Sequence, residues 1–205
     1  RGFSNKLPFK NGGSVNIDRA FHGFGLQYKF GESIPDNFSL VVGMDIDRQD
    51  DDRKRYNNEL GTIGSMIFDQ NEKVNSNGFF MQSRYEQTNW SFSSGIRYDE
   101  VKFDIQDRFL ANGDDSGEIK FDSVSPSLGF NYSTESGSLF LAFSSSFETP
   151  TTTELANPDN SGGFNSLLKP QKAKNFELGY KSVVDKLYYE IAVFNIDLED
   201  ELVPY

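Results

Sequence analysis

The sequence predicts an all-β chain, an antiparallel up-and-down transmembrane β-barrel segment of about eight strands. Three observations point there. Helical periodicity is almost absent, whereas apolar and polar residues alternate in segment after segment. The apolar side of those segments is rich in aromatics, and the other side is mostly Ser, Gly, Asn and Gln with scattered charge. The connections run short, long, short, long, which is the asymmetry of outer-membrane barrels with short periplasmic turns and longer extracellular loops. A soluble barrel or sandwich remains open from patterning alone. There the aromatic face is the inside, and the outside carries many Lys and Glu.

The first strand spans about Arg19 to Phe30, with His22, Phe24, Leu26, Tyr28 and Phe30 on one face and Gly23, Gly25, Gln27 and Lys29 on the other. A short turn, Gly31 to Asn37, leads to a second strand with Phe38, Leu40, Val42, Met44 and Ile46 on one face. The polar stretch from Arg48 to Asn77 reads as a long loop. The third strand, near Gly78 to Gln87, sets Phe79, Met81 and Tyr85 against Gln82, Arg84 and Glu86. After a tight turn at Thr88-Asn89, the fourth sets Trp90, Phe92, Ile96 and Tyr98 against Ser91, Ser93, Gly95, Arg97 and Asp99. Beyond Tyr98 the apolar phase moves to Val101, Phe103 and Ile105; a β-bulge near Asp99-Glu100, or a misjudged strand register, gives that shift.

A second long loop covers about Asp107 to Glu118. The fifth strand carries Val124, Pro126, Leu128, Phe130 and Tyr132 opposite Ser125, Ser127, Gly129, Asn131 and Ser133. Thr134 to Gly137 turns the chain into the sixth, with Leu139, Leu141, Phe143 and Phe147 opposite Ala142, Ser144 and Ser146. The third long loop spans Glu148 to about Lys172. The seventh strand sets Phe176, Leu178 and Tyr180 against Glu177, Gly179 and Lys181. A turn at Val183 to Lys186 leads to the eighth, about Leu187 to Glu199, whose two faces the pattern does not separate.

Composition removes several function classes. Aromatics at 15% argue against disorder. A net charge of -11 makes nucleic acid an unsuitable partner, because a phosphate backbone needs a cationic footprint. With no Cys and only His22, disulfides, thiolate metal sites and multi-histidine zinc sites are excluded, and no cofactor is called for. No run of about 18 apolar residues is present, so no transmembrane helix is expected; a membrane barrel is untouched by that. The chain shows no signal peptide and opens on Arg1-Gly2, which reads as an excised or mature piece.

One set of segments carries a family resemblance. It comprises Ser146-Phe147-Glu148-Thr149-Pro150 with Glu154-Leu155, Asn157-Pro158, Leu168-Lys169-Pro170-Gln171, Asn175-Phe176-Glu177-Leu178-Gly179-Tyr180-Lys181 and Ala192 to Asp200. Gly95-Ile96-Arg97-Tyr98-Asp99 and Ser125 to Phe130 fit the same pattern upstream. Together they resemble the barrel of TonB-dependent outer-membrane receptors, from about Phe79 to Tyr205. The resemblance implies a barrel of about 22 strands closed by an N-terminal plug, and active uptake of a scarce nutrient such as a ferric siderophore, cobalamin or haem, energised through TonB. An iron chelate is the expected ligand. The expected partners are outer-membrane lipid, TonB and the receptor's own plug. No plug and no TonB box are recognisable, so residues 1–205 are expected to be part of the barrel domain alone, without the plug or the last strands.

On that reading Gln82, Arg84, Arg97, Asp99, Asn131, Glu177 and Lys181 face the lumen. Arg53, Arg55 and Tyr56, with Phe164 and Asn165 from the third long loop, are extracellular candidates for ligand contact. Arg53, Arg55 and Tyr56 also have a plainer reading as part of a solvated loop, and the loop that carries Phe164 and Asn165 has one as a structural cover. The run Asp47, Asp50, Asp51, Asp52 lacks the Gly and terminal Glu of a calcium loop and is interleaved with Arg48, Arg53, Lys54 and Arg55, so no metal site is expected. The loose set Asp107, Asp114, Asp115 and Glu118 reads the same way. Glu199 and Glu201 have no nucleophile beside them, and no enzyme is expected. Trp90, Tyr28, Phe30, Tyr132 and Tyr180 suit an aromatic girdle. The rival readings are a soluble lipocalin-like binding barrel, in which Phe24, Leu128 and Phe143 are buried, and a small outer-membrane barrel such as a porin or a barrel enzyme.

Overall fold

The computed structural model describes residues 2–5, 13–30, 35–59, 61–155 and 164–201. Among them nine strands form one sheet: β1 (Gly2–Asn5), β2 (Gly13–Phe30), β3 (Phe38–Glu59), β4 (Thr62–Glu86), β5 (Trp90–Asp107), β6 (Gly117–Ser133), β7 (Ser138–Glu148), β8 (Gln171–Val184) and β9 (Leu187–Glu199). The sheet follows chain order from β1 to β9, and successive strands pair antiparallel. Short β1 and the first residues of β2 lie ahead of the expected first strand, because Val15 and Ile17 alternate with Asn and Asp too briefly to read as a strand alone.

Register explains why the aromatic residues share a face. Leu26, Met44, Phe79, Tyr98 and Val124 are directly opposed across five strands. Leu128, Phe143 and Phe176 form a second row, and Phe130, Leu141, Leu178 and Val193 a third. These side chains are not a core: Phe24 is 59% exposed and Leu128 46%, and Phe143 is only half-buried. A continuous apolar surface of this kind is covered by lipid in a membrane barrel, which overturns the soluble lipocalin-like reading.

On β5 the belt runs from Trp90 to Tyr98, about 26 Å of strand and, at a tilt near 40°, roughly 20 Å along the membrane normal. Its turn end is an aromatic girdle. Trp90 lies 5.5 Å from Tyr85 and 6.1 Å from Phe130, Tyr28 lies 4.9 Å from Phe30, and Tyr180 lies 6.3 Å from Tyr189. Such rings suit a membrane–water interface, with an apolar body and a polar edge.

Two expectations are corrected. The stretch from Arg48 to Asn77 is a hairpin, with the pairing of β3 and β4 continuing to Glu59 and from Thr62. Above the belt the inward face of this hairpin carries the buried Asp51, Arg53 and Glu72, and its outward face carries further charged residues, so charge replaces hydrophobicity as the patterned property. Arg48 donates to the Ser76 carbonyl at 3.0 Å and to Asn77 Oδ1 at 3.0 Å, Asn71 donates to Asp50 at 2.6 Å, and Lys54 meets Asp69 at 3.6 Å.

The second correction concerns β5. Its pairing with β4 and β6 runs unbroken through Asp99 and Glu100, with no bulge; the register shifts of the hairpin lie at Arg55/Tyr56 and Tyr56/Asn58. The apolar residues change face instead. Outward positions become Glu100, Lys102 and Asp104, while Val101, Phe103 and Ile105 point inward with Ile119 and Phe121 of β6. Phe103, Ile105, Phe121 and Leu155 form the buried cluster, flanked by Val74, Phe147, Phe164 and Leu168. The exchange marks where the wall leaves lipid and begins to need an ordinary water-excluded core. On β9, Ile191 and Val193 share a face with the belt, whereas Phe194, Ile196 and Leu198 lie on the other face and are exposed.

Candidate functional site

The inner face, opposite the belt, is assembled from small and polar residues that the strand register aligns. Arg84, Ser93, Gly129, Ala142 and Glu177 form one row, and Gln82, Gly95, Ser127, Ser144 and Asn175 the next. Arg97 lies opposite Phe80 and Ser125, Asp99 opposite Gly78 and Ser123, Asn131 opposite Phe140, and Lys181 opposite Ser138. Gln82, Arg84, Arg97, Asp99, Asn131, Glu177 and Lys181 therefore occupy one face of the sheet.

Arg97 organises the upper part of this face. Its Nε donates to both Asp99 oxygens at 2.8 and 2.9 Å, and its Nη1 donates to Asp45 at 2.8 Å. The guanidinium stands 5.8 Å from the Phe80 ring centroid. One cation between two carboxylates leaves this patch net negative. A Cβ at Gly78 would overlap Arg97, and one at Gly43 would overlap the Phe80 ring, so both glycines make room for the arrangement. Phe140 lies over Gly179 in the same way, with Lys181 Nζ 5.3 Å from its centroid. Gln82, Arg97, Asp99, Ser125, Ser127, Ser146 and Thr149 border an open groove of about 520 Å³. Asp45, Phe80 and Phe140 were not singled out from the sequence; the signal that finds them is an inward-phase aromatic or acid facing a glycine on the neighbouring strand.

Above the belt, residues 151–155 form a knuckle of one helical turn. The Glu154 and Leu155 amides donate to the Thr151 carbonyl at 3.1 and 3.2 Å; the Thr151 amide and hydroxyl donate to Glu154 Oε2 at 2.7 and 2.8 Å, while the Glu154 amide donates to the Thr151 hydroxyl oxygen at 3.4 Å. This is the reciprocal pattern of a capping box. The knuckle rests on an ion pair between Arg53 and Glu72, whose side chains are 11% and 2% exposed. Thr152 donates its hydroxyl to Glu72 at 2.7 Å, Arg53 donates to the Thr153 hydroxyl at 2.8 Å, and Leu155 is fully buried in the apolar cluster.

The extracellular candidates fall in or near this seat. Arg53 is buried and engaged, Phe164 packs on the apolar cluster, and the Asn165 amide donates to the Leu155 carbonyl at 2.7 Å while its side chain accepts from the Leu167 amide at 3.2 Å. These three hold the loop down, which corrects the expectation of a freely solvated Arg53 segment. Arg55 stacks on Phe68 at 4.9 Å, beside Arg53 on the same ring at 4.8 Å. Burial, and then the neighbouring Arg53 charge, lower the pKa of the Arg55 guanidinium, which still stays cationic. Tyr56 is half-buried and occupies the outward register position opposite Ser14 and Met66.

The acidic runs organise structure. Asp51 is buried against Arg19, Asp52 accepts from Arg108 at 2.7 Å, and Asp107 accepts from the Phe109 and Asp115 amides at 2.9 and 3.0 Å. Among the described residues no group of three or more His, Cys, Asp or Glu is placed to hold a metal ion. Glu199 pairs with Lys174 at 2.7 Å, and that hydrogen bond holds its carboxyl below the usual range.

The TonB dependent receptor-like β-barrel model matches residues 2–205. Solved structures agree in fold. The copper transporter OprC superposes with a TM-score of 0.71 at 16% identity, covering 89% of this chain and 30% of that one. The unliganded ferric citrate transporter FecA gives 0.69 at 16% identity over 95% of this chain and 30% of the other. The ferric yersiniabactin uptake receptor FyuA of Yersinia pestis gives 0.64 at 15% identity over 98% and 32%. The chain thus spans about a third of the length of these structures, its short turns on the periplasmic side and its long hairpins and knuckle on the extracellular side. The family is one of receptors and transporters rather than enzymes, and this chain belongs to it, as part of the β-barrel wall of a TonB-dependent receptor in a Gram-negative outer membrane.

Proposed function

We propose that the intact protein is a receptor for TonB-dependent uptake of a scarce nutrient, with a ferric siderophore or similar iron chelate as ligand. The exchange of the apolar face at the top of the belt carries this reading. It makes the described sheet a lipid-facing wall with a water-facing interior and a built extracellular superstructure, as capture outside the cell followed by passage inward requires. Residues 1–205 supply part of the barrel domain; a plug and further strands belong to the rest of the receptor. Gln82, Arg84, Arg97, Asp99, Asn131, Glu177 and Lys181 line the lumen against that plug, and Arg55 and Tyr56 are the hairpin candidates for ligand contact. Two of the similar structures are named for ferric ligands and one for copper, which supports a metal complex as cargo.

The test is growth of a strain lacking the full-length gene under iron restriction, with single ferric siderophores supplied, alongside copper-limited and cobalamin-limited cultures. The reading expects loss of growth on one ferric chelate, restored by the gene and dependent on TonB. Loss on copper or cobalamin alone contradicts the iron assignment and keeps the receptor. No TonB-dependent phenotype on any of them contradicts both.

A further inference from the structure

The β6–β7 ladder is shorter than its strands. It ends at Ser127↔Ser144, next to Pro126, which has no N–H to offer. Among the described strands, β6 continues upward to Gly117 and pairs there with β5 only. The wall therefore parts on the extracellular side of the belt. Behind the parting lie Phe103, Ile105 and Phe121, three large apolar side chains that water would otherwise reach. The segment leaving β7 covers them. Pro150 and Leu155 are fully buried, and Phe147, Phe164 and Leu168 pack around the same cluster. A Cβ at Gly117 would overlap the Phe164 ring, so the end of β6 is shaped to receive it.

We propose that residues 150–155 are a fixed brace that seals this parting from inside, latched by the Arg53–Glu72 pair, and are not part of a swinging extracellular gate. Every side chain of the Thr151-Thr152-Thr153-Glu154-Leu155 run has a task in it. Thr151 and Glu154 close the turn, Thr152 and Thr153 each engage one member of the buried ion pair, and Leu155 fills the apolar seat. Lifting the brace strips Glu72 and Arg53 of a hydroxyl partner each and opens the apolar seat in one step. Two unrelated kinds of interaction, polar and apolar, thus oppose the same motion. The brace does not depend on which ligand the receptor takes.

The absence of native cysteine in this chain makes a direct test available. In the full-length receptor on intact cells, with any cysteine outside residues 1–205 replaced, Ile105→Cys reports from the strand beneath the brace and Thr151→Cys from its exposed surface. The probe is a membrane-impermeant maleimide. Ile105→Cys is expected to react on the order of 100-fold more slowly than Thr151→Cys. Adding Glu72→Ala, which leaves Arg53 buried without its partner, is expected to raise the Ile105→Cys rate at least about tenfold. Thr152→Val with Thr153→Val removes both hydroxyls at constant shape and is expected to raise it by a smaller factor, which covers the case in which Glu72→Ala does not assemble. Equal rates at the two cysteines in the parent, or no change on losing both hydroxyls, overturn the brace.

Discussion

Replacing Leu128 by Arg tests which side of the sheet faces lipid. Leu128 stands midway between Val124 and Tyr132 on the outward face of β6, with Ser94 and Phe143 beside it in register. An Arg at the bilayer midplane of a barrel costs about 2–4 kcal/mol, a change of roughly 30- to 900-fold in the folding equilibrium. Ser127 is its immediate neighbour but lies in the inward row with Gln82, Gly95 and Ser144. Arg there enters an open polar groove, and Ser127→Arg should cost below about 1 kcal/mol. The assay is urea-driven unfolding of the full-length receptor in phospholipid vesicles, with each variant compared with the parent. Equal costs, or a larger cost for Ser127→Arg, would refute the assignment of faces.

Two further outcomes follow from the packing and the loops. Gly43→Ala should destabilise by about 1–3 kcal/mol, because the new methyl overlaps the Phe80 ring and lies 2.9 Å from the Leu26 carbonyl oxygen. In a Phe80→Ala background the cost, read from urea midpoints, should shrink without vanishing, since the carbonyl stays. In the loop after β5, the Ser116 hydroxyl and then the Ser116 amide hold the Asp114 carboxyl below the usual carboxylate range. A depressed folded pKa means that the turn's contribution is complete above the ordinary Asp value and is lost as pH falls through the lowered one. Carboxyl NMR shifts should show Asp114 titrating below a free Asp and rising in Ser116→Ala; an unchanged titration would contradict that hydrogen bonding.

The belt was legible in the sequence because lipid imposes one rule on every strand that crosses it. Phe24, Leu26 and Tyr28, or Val124, Leu128 and Tyr132, must alternate with small or polar residues whatever the receptor binds. The β3–β4 hairpin was not legible, since its patterned property is charge and hydrogen-bonding partners rather than hydrophobicity, as in Arg48, Asp50 and Lys54 on one face and the buried Asp51 and Arg53 on the other. The move of apolar residues to Val101, Phe103 and Ile105 was visible, but a bulge and a change of environment write the same pattern in one strand. Only the unbroken pairing with β4 and β6 separates them. Arg53 read as a solvated cation because its partners, Glu72 and Thr153, are distant in sequence. The knuckle could be noticed as Thr-Thr-Thr-Glu-Leu, yet its seat is built from four other strands.

Spin-label accessibility reads the exchange of faces along β5 residue by residue. Single cysteines from Trp90 to Ile105, introduced into the full-length receptor in vesicles, would be compared for collision with dissolved oxygen and with a water-soluble nickel chelate. Oxygen maxima are expected at Phe92, Ile96 and Tyr98, nickel maxima at Glu100, Lys102 and Asp104, and low values for both reagents at Phe103 and Ile105. Oxygen maxima that shift to Val101, Phe103 and Ile105 would contradict the exchange, because those residues would then face lipid beyond a bulge.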